Sequence, residues 1–245
     1  MKSIPYPSRS VSRVAGFLIF ALGVAIGLLY FGGATWADIE AFLFDSSFSA
    51  DKPLTTLNCP VIIGPSETGV LKATFTNPSD TTFRPRIRAR FTAGLVSLIR
   101  EEENRLSLEP GESQQLEWQV TGEDAVWGNF ILARIYQFRQ YPQLSRTATC
   151  GILVVDFLGL GGRWLTALAV VISLLGMLVG LNLWVAGNRP LSGRIQTTTQ
   201  AMVALAAVVF LGMAGSLTGL WMLSAAMVLV GVLLSFMIIA FLIAA

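Results

Sequence analysis

Residues 201–245 read AMVALAAVVFLGMAGSLTGLWMLSAAMVLVGVLLSFMIIAFLIAA, 45 consecutive positions without an ionisable side chain. As a single helix rising about 1.5 Å per residue, this stretch would be roughly 67 Å long, about twice the roughly 30 Å hydrocarbon core of a bilayer. It must therefore double back. Gly215-Ser216-Leu217-Thr218-Gly219 is the best place for the turn, because glycine and small hydroxyl residues are where helices break and recap. Two spans are predicted, at 201–217 and 220–245. Further towards the N-terminus, 165–186 and 14–31 are also uncharged and long enough to cross, which makes four predicted transmembrane helices. Composition agrees: 53% of the residues are hydrophobic and 13% charged, where a soluble domain carries about a quarter as charges.

Charge placement predicts the orientation. Lys2, Arg9 and Arg13 precede the first span, and Arg189 and Arg194 lie between the second and third, with no acidic residue in either segment. Basic short loops stay in the cytoplasm, so 1–13 and 187–200 are read as cytoplasmic. All 15 acidic residues fall between Asp38 and Asp156, and that stretch is read as lying outside. Trp36, Trp164, Trp184 and Trp221 fall near predicted span ends, where indoles prefer the membrane interface. The first span could instead be a cleaved signal peptide, with Thr35-Trp36-Ala37 as a loose cleavage site; its 18 apolar residues exceed the usual signal core of about 7 to 15 and favour an anchor.

Between the first and second spans the pattern changes to short alternating segments separated by turn residues, which is a β signature. Val70–Thr76, Phe83–Thr92, Gln115–Thr121, Phe130–Phe138 and Thr147–Val155 read as strands. Asn77-Pro78-Ser79-Asp80 and Glu109-Pro110-Gly111-Glu112 read as turns. Roughly seven short strands in about 100 residues predict a β-sandwich over 50–156. In the sequences Ala73-Thr74-Phe75-Thr76-Asn77-Pro78-Ser79-Asp80, Leu106-Ser107-Leu108-Glu109-Pro110-Gly111-Glu112-Ser113 and Gly128-Asn129-Phe130-Ile131-Leu132-Ala133, this segment resembles bacterial immunoglobulin-like domains of the CARDB or fibronectin-III type. The resemblance covers only this segment. It implies a fold used for contact with proteins or carbohydrates; together with the four predicted spans, the expectation is a multi-pass protein of a bacterial plasma membrane. One departure is clear: the two cysteines lie at the ends of the segment, not in the inter-sheet arrangement of antibody domains.

Cys59 and Cys150 are the only cysteines. Both fall in the segment read as extracytoplasmic, where disulfides persist, so a structural bond between the first and last strands is expected. The sharpest polar motif is Arg84-Pro85-Arg86-Ile87-Arg88-Ala89-Arg90. Alternate side chains of a strand share a face, so Arg84, Arg86, Arg88 and Arg90 should line one surface while Ile87, Ala89 and Phe91 face the core. Such a stripe could bind carboxylates or phosphates, since guanidinium forks match both. The plainer reading is a solvated strand face neutralised by Glu101, Glu102, Glu103 or Glu117.

Gly23 and Gly27, Gly176 and Gly180, and Gly231 and Ser235 repeat at four-residue spacing, which permits close helix contact. The chain has no histidine, which removes His-ligated metal or haem, the Ser-His-Asp arrangement and histidine proton relays. No metal or other cofactor is implied. No charged residue lies inside a predicted span, which disfavours an ion-coupled transporter. A net acidic outer segment is the wrong footprint for nucleic acid. The expectation is a non-catalytic accessory or scaffold subunit in contact with lipid and with a membrane-protein partner or further copies of itself. An oligomeric channel or transporter component is the first alternative. A surface enzyme acting on lipid or glycan through Asp38, Glu40 or Asp156 is the second.

Overall fold

The computed structural model describes residues 9–46, 50–141 and 143–243. Lys2 and the last two positions of the expected fourth span lie outside the described residues. The chain divides into two units, Ala34–Thr166 and Met1–Gly33 with Ala167–Ala245. Its elements are α1 (Arg9–Leu43), β1 (Lys52–Pro53), β2 (Ile62–Ile63), β3 (Gly69–Thr76), β4 (Arg86–Ala93), β5 (Leu95–Arg105), β6 (Ser113–Val120), a short 3₁₀ turn (Gly122–Asp124), β7 (Phe130–Gln137), β8 (Arg146–Val154), α2 (Gly162–Gly187), α3 (Arg194–Leu217) and α4 (Trp221–Ile243). The four α-helices are long and apolar enough to cross a membrane.

The β unit has two sheets. One runs in the order β1-β8-β7-β4-β5 with β2 also on β8; the other is the antiparallel pair β3-β6. Period-two alternation builds the core. Leu71, Ala73 and Phe75 from β3 and Trp118 and Val120 from β6 pack with Ile87, Ala89 and Phe91 from β4, Ile131, Ala133 and Ile135 from β7 and Ile152 from β8. β1 and β2 pair with β8 in parallel. These two-residue strands carry no readable period, and they were not among the strands read from sequence. β5 was also absent from that reading. It is an edge strand exposed along most of its length, so no buried face imposes alternation on it.

Cys59 and Cys150 form a disulfide. Cys150 is in β8, while Cys59 lies outside the strands, next to Asn58, which bridges to Lys72 of β3. The bond therefore ties β8 of the larger sheet to the segment beside the smaller one. Closing a loop with a sequence separation of 91 removes denatured-chain entropy worth about 4–5 kcal/mol.

A corner at Asn77 joins the two turns read from sequence. Its side-chain amide donates to the carbonyls of Thr81, Leu108 and Glu109. Its carbonyl accepts from Gly111 N–H and its own N–H donates to Glu112. Its Oδ1 accepts from the Ser79 N–H, an Asx turn. Gly111, at φ +75°, supplies the left-handed residue that lets the second turn reach this corner.

α1 is longer than the apolar run 14–31. Past Gly33 it continues with Ala34, Ala37, Ala41 and, just beyond its end, Phe44 all buried, spaced so that they share one face. In the β unit this face lies on the outer side of the larger sheet. A side chain at Gly151 of β8 would collide with the Ala37 carbonyl, and Ala41 and Phe44 cluster with Leu132 of β7. Asp38 Oδ1 accepts from the Gly151 N–H at 3.0 Å. In the helical unit α3 begins at Arg194, ahead of the apolar run, with Thr198 and Thr199 hydroxyls bonded to carbonyls four residues back. The α3–α4 turn falls at Thr218–Leu220, with Gly219 at φ +72°.

Two outcomes follow for the β unit. Asn77→Ala orphans buried carbonyls and should lower stability by about 2–3 kcal/mol in denaturant titrations of the full chain in detergent. Asp51 accepts hydrogen bonds from the hydroxyl and N–H of Ser145, which hold its carboxyl below the usual value. A depressed folded value means that this contribution is present above the unfolded carboxylate value near about 3.9 and is lost as pH falls through the folded one. Asp51→Asn should accordingly flatten the acid limb of a melting-temperature profile below about pH 4 while leaving its shape near neutrality unchanged.

Candidate functional site

Two constellations carry the residues singled out in the sequence. The first is a backbone seam between α1 and α2. A Cβ on Gly23 would lie 2.7 Å from Met177 N and 2.8 Å from Ser173 O, and one on Gly176 would lie 3.0 Å from Gly23 Cα. Gly180 faces the Phe20 backbone, and a Cβ on Gly16 would be 2.5 Å from Trp184 N. The helices run antiparallel, with backbones in contact over several turns. Ser173 Oγ donates to the Gly23 carbonyl at 2.8 Å in this buried seam. Lipid offers no hydrophobic drive for helix association, so dispersion at close range and such hydrogen bonds hold helices together there.

The other small residues sit differently. Gly27 faces Val209 of α3 as well as Ser173. Gly231 of α4 faces only the side-chain ends of Leu28 and Val208, and Ser235 Oγ donates to the Gly231 carbonyl within its own helix. Gly16, Gly187 and Gly212 were not singled out, although Gly16 lies seven residues before Gly23 and Gly187 seven after Gly180, a spacing that keeps the same face. Gly212 accommodates the Phe31 ring. Trp184, read as an interface residue, is buried; its indole donates to Thr199 Oγ1 at 3.0 Å. Asn182 bonds the Leu178 carbonyl of its own helix.

The second constellation is the outer face of β4 and its neighbours. Ile87, Ala89 and Phe91 are fully buried, and Arg86, Arg88 and Arg90 project on the opposite side. β5 places Glu103 opposite Arg88 and Glu101 opposite Arg90. Arg88 Nε lies 2.9 Å from Glu101, and Arg90 Nε 2.8 Å from the other oxygen of that carboxylate. Glu103 is shared by Arg86, Arg88 and Arg105. Arg86 and Arg88 also stack over the Phe138 ring, at 4.1 and 5.0 Å. Arg84 lies before β4 and is exposed, without an ion pair among the described residues. The face is thus a charge grid, closed over Arg88 and Arg90 and open at its Arg84 and Arg86 end.

Residues distant in sequence complete the grid. Arg90 donates to Asp45 Oδ2 at 2.7 Å, and Arg134, opposite Arg90 on β7, donates to the Phe42 carbonyl at 2.9 Å. A guanidinium at the carbonyl end of α1 meets the negative pole of the helix. Burial opposes the charge on both arginines. Burial lowers the pKa of Arg134, with Asp45 opposing, whereas bonds from Asp45 and Glu101 outweigh burial at Arg90 and raise it. Asp45 itself has φ +48°, the left-handed region that aspartate tolerates at a helix end. No local pattern could have signalled Arg134 or Asp45, because both act across long sequence separations.

Among the described residues no group of three or more His, Cys, Asp or Glu could hold a metal ion. Asp38, one of the carboxylates considered for catalysis, is bonded to the Gly151 N–H, and Asp124 to Arg100 and the Thr121 N–H.

No protein-family model matches this chain, and no curated protein matches it. Among solved structures it is similar to a cycloisomaltooligosaccharide glucanotransferase from Paenibacillus sp., at 10% identity and a TM-score of 0.34 over 44% of this chain and 15% of that one. It is similar to a beta-glucosidase from Listeria innocua at 14% identity and a TM-score of 0.30, over 41% of this chain and 15% of that one. The CARDB domain of a Pyrococcus furiosus protein, in complex with di-metal ions, matches at 12% identity and a TM-score of 0.31, over 40% of this chain and 84% of that one. The last is of the class that the β segment resembles. The match spans about 15% of the length of each of the two enzymes, and at these scores none of the likenesses carries an argument about activity.

Each constellation can be tested by a pair of variants. Gly23→Ala should destabilise the full chain by about 1–3 kcal/mol, because a backbone cannot yield, while Gly231→Ala, meeting a flexible leucine tip, should change it by less than about 0.5 kcal/mol; melting temperatures in detergent read the order. Arg88→Glu places like charges directly across the strand pair and should cost about 1–2 kcal/mol, whereas Arg84→Glu should be neutral within about 0.5 kcal/mol.

Proposed function

We propose that this chain is a non-catalytic membrane-anchored accessory or scaffold subunit that presents an immunoglobulin-like domain on the outer side of a bacterial plasma membrane. One observation carries the reading: in the β unit, several of the covered charged side chains are committed to holding the fold. Arg90 and Arg134 fasten the end of α1, Asp124 is bonded to Arg100 and Thr121, and Glu67 accepts from the N–H groups of Gly64 and Gly162. Such a domain offers a shaped surface in place of a reactive cleft.

Further observations support the placement. The four apolar helices have the length to span. A disulfide within the β unit suits an oxidising compartment, and basic residues before the first span and in the loop after the second suit a cytoplasmic side. Two sheets sharing one core suit a sandwich of immunoglobulin type. With the inner part of the arginine face neutralised, a partner would be met at its open end around Arg84, and the helical unit would dock through its exposed apolar faces.

Affinity isolation of the tagged full chain from its native membrane in a mild detergent tests the reading. Foreign subunits in stoichiometric amount, lost on Arg84→Glu or on deletion of the β unit, are the expected result. Recovery of the chain alone, or only with copies of itself, overturns the accessory role and favours a homo-oligomeric channel.

A further inference from the structure

We infer that the tip of the β4–β5 hairpin is a lipid contact, seated in the headgroup region of the same bilayer that α2 enters. The inference rests on the membrane-spanning reading above and adds a second point of membrane attachment to it.

The hairpin is divided along its length. From Phe91 to Ile99 it carries no charge, and Arg100-Glu101-Glu102-Glu103 follow at once. Leu95, Val96, Leu98 and Ile99 are 52%, 43%, 54% and 41% exposed, and β5 is the edge of its sheet. A bare apolar edge is a site of aggregation in water, normally blunted by charge. Here the charges begin only where the strand has left its tip. One strand with an apolar end and a charged end fits a passage from a lipid interface into water.

Contacts within the β unit place this tip at the end from which α2 departs. Glu67 Oε2 accepts from Gly162 N–H, the first residue of α2, at 2.6 Å. Gly122 packs against Pro65, and a Cβ on Gly94, at the hairpin turn, would lie 3.8 Å from the Glu123 carbonyl. The hairpin turn, the 3₁₀ turn, the 64–67 loop and the start of α2 therefore share one end of the domain. That end also exposes Leu158 at 84% and, in the first turn of α2, Trp164 at 69%. At the other end, where Thr76 pairs with Ser113, the exposed residues around the turns include Asp80, Glu109 and Glu112, with Pro78, Pro110 and, on the β7–β8 turn, Tyr141 beside them. A sheet edge has unpaired backbone groups and does not enter the hydrocarbon. Headgroup depth satisfies both the apolar side chains and the backbone, and aromatic rings at that level act as anchors.

The test uses the full chain with its disulfide intact, carrying one added cysteine labelled with an environment-sensitive fluorophore, in phosphatidylcholine and phosphatidylglycerol vesicles doped with nitroxide lipids. Leu98→Cys, and Leu95→Cys as a second hairpin position, should give blue-shifted emission quenched by headgroup nitroxides. Gln114→Cys, at the polar end, should be unquenched, and Leu178→Cys, on α2, should be quenched by nitroxides deep in the acyl chains. Hairpin labels as water-exposed as the Gln114 position overturn the inference, while a quenched Leu178 position leaves the spanning reading intact. Hairpin labels shielded from water yet unquenched also overturn it, since a protein then covers the tip. An unquenched Leu178 position removes the spanning reading and the inference with it.

Discussion

Backbone-to-backbone contact by α1 is the constraint on which both units depend. In the helical unit its glycines meet those of α2 so closely that a methyl group at Gly23 has no room. In the β unit its later residues lie on Gly151 of β8, again with no room for a side chain. At such separations many atom pairs reach their dispersion optimum together, and a single added carbon forces whole elements apart. α1 makes further contacts in the helical unit, where Gly27 meets Val209, Phe31 meets Gly212 and Leu28 meets Gly231. It meets α2 backbone to backbone and α3 and α4 through side chains, while α4 is also tied to α3 by the Ser224 hydroxyl, which donates to the Gly212 carbonyl.

The charged face of the larger sheet depends on the same helix. With α1 covering β7 and β8, Arg134 is nearly buried, an expensive position for a guanidinium without partners. The last carbonyls of α1 and the Asp45 carboxylate provide them. Arg90 is held by Asp45 on one side and Glu101 on the other, and so links the helix end to the edge strand. Charge density here serves docking of the chain onto itself. This is why the arginine motif, conspicuous as a linear sequence, has Arg88 and Arg90 largely covered and leaves Arg84 and the half-exposed Arg86 facing solvent.

Much of this was legible in the residues. Uninterrupted apolar runs marked four helices, because a 20-residue apolar stretch has few other stable environments. Alternation marked β3, β4 and β6, because one face of each is buried; β7 and β8, also read as strands, are buried on both faces where α1 covers them. Asn77-Pro78-Ser79-Asp80 and Glu109-Pro110-Gly111-Glu112 were legible as turns, but not that Asn77 would bond both into one corner. β5 was silent, since the inward side of this edge strand is half-covered and carries Arg100, Glu102 and Asn104, which leave no apolar period to read. The helical extension of α1 was silent too: its alanine stripe reads as neither an apolar run nor a strand, and only the sheet beneath it explains the spacing.

The sequence by itself determined the elements and their character: four apolar helices, a β segment between the first two, and a pair of cysteines with no other partner. These follow from periodicity and composition, which act over a few residues. Only the tertiary structure decided which glycines touch backbone and which touch flexible side chains, that Cys59 joins β8 from outside any strand, and that the arginines of β4 are met by Glu101, Glu103 and Asp45. Those outcomes depend on which faces the fold brings within a few ångströms of each other, and that proximity is a property of the packed chain that no local pattern encodes.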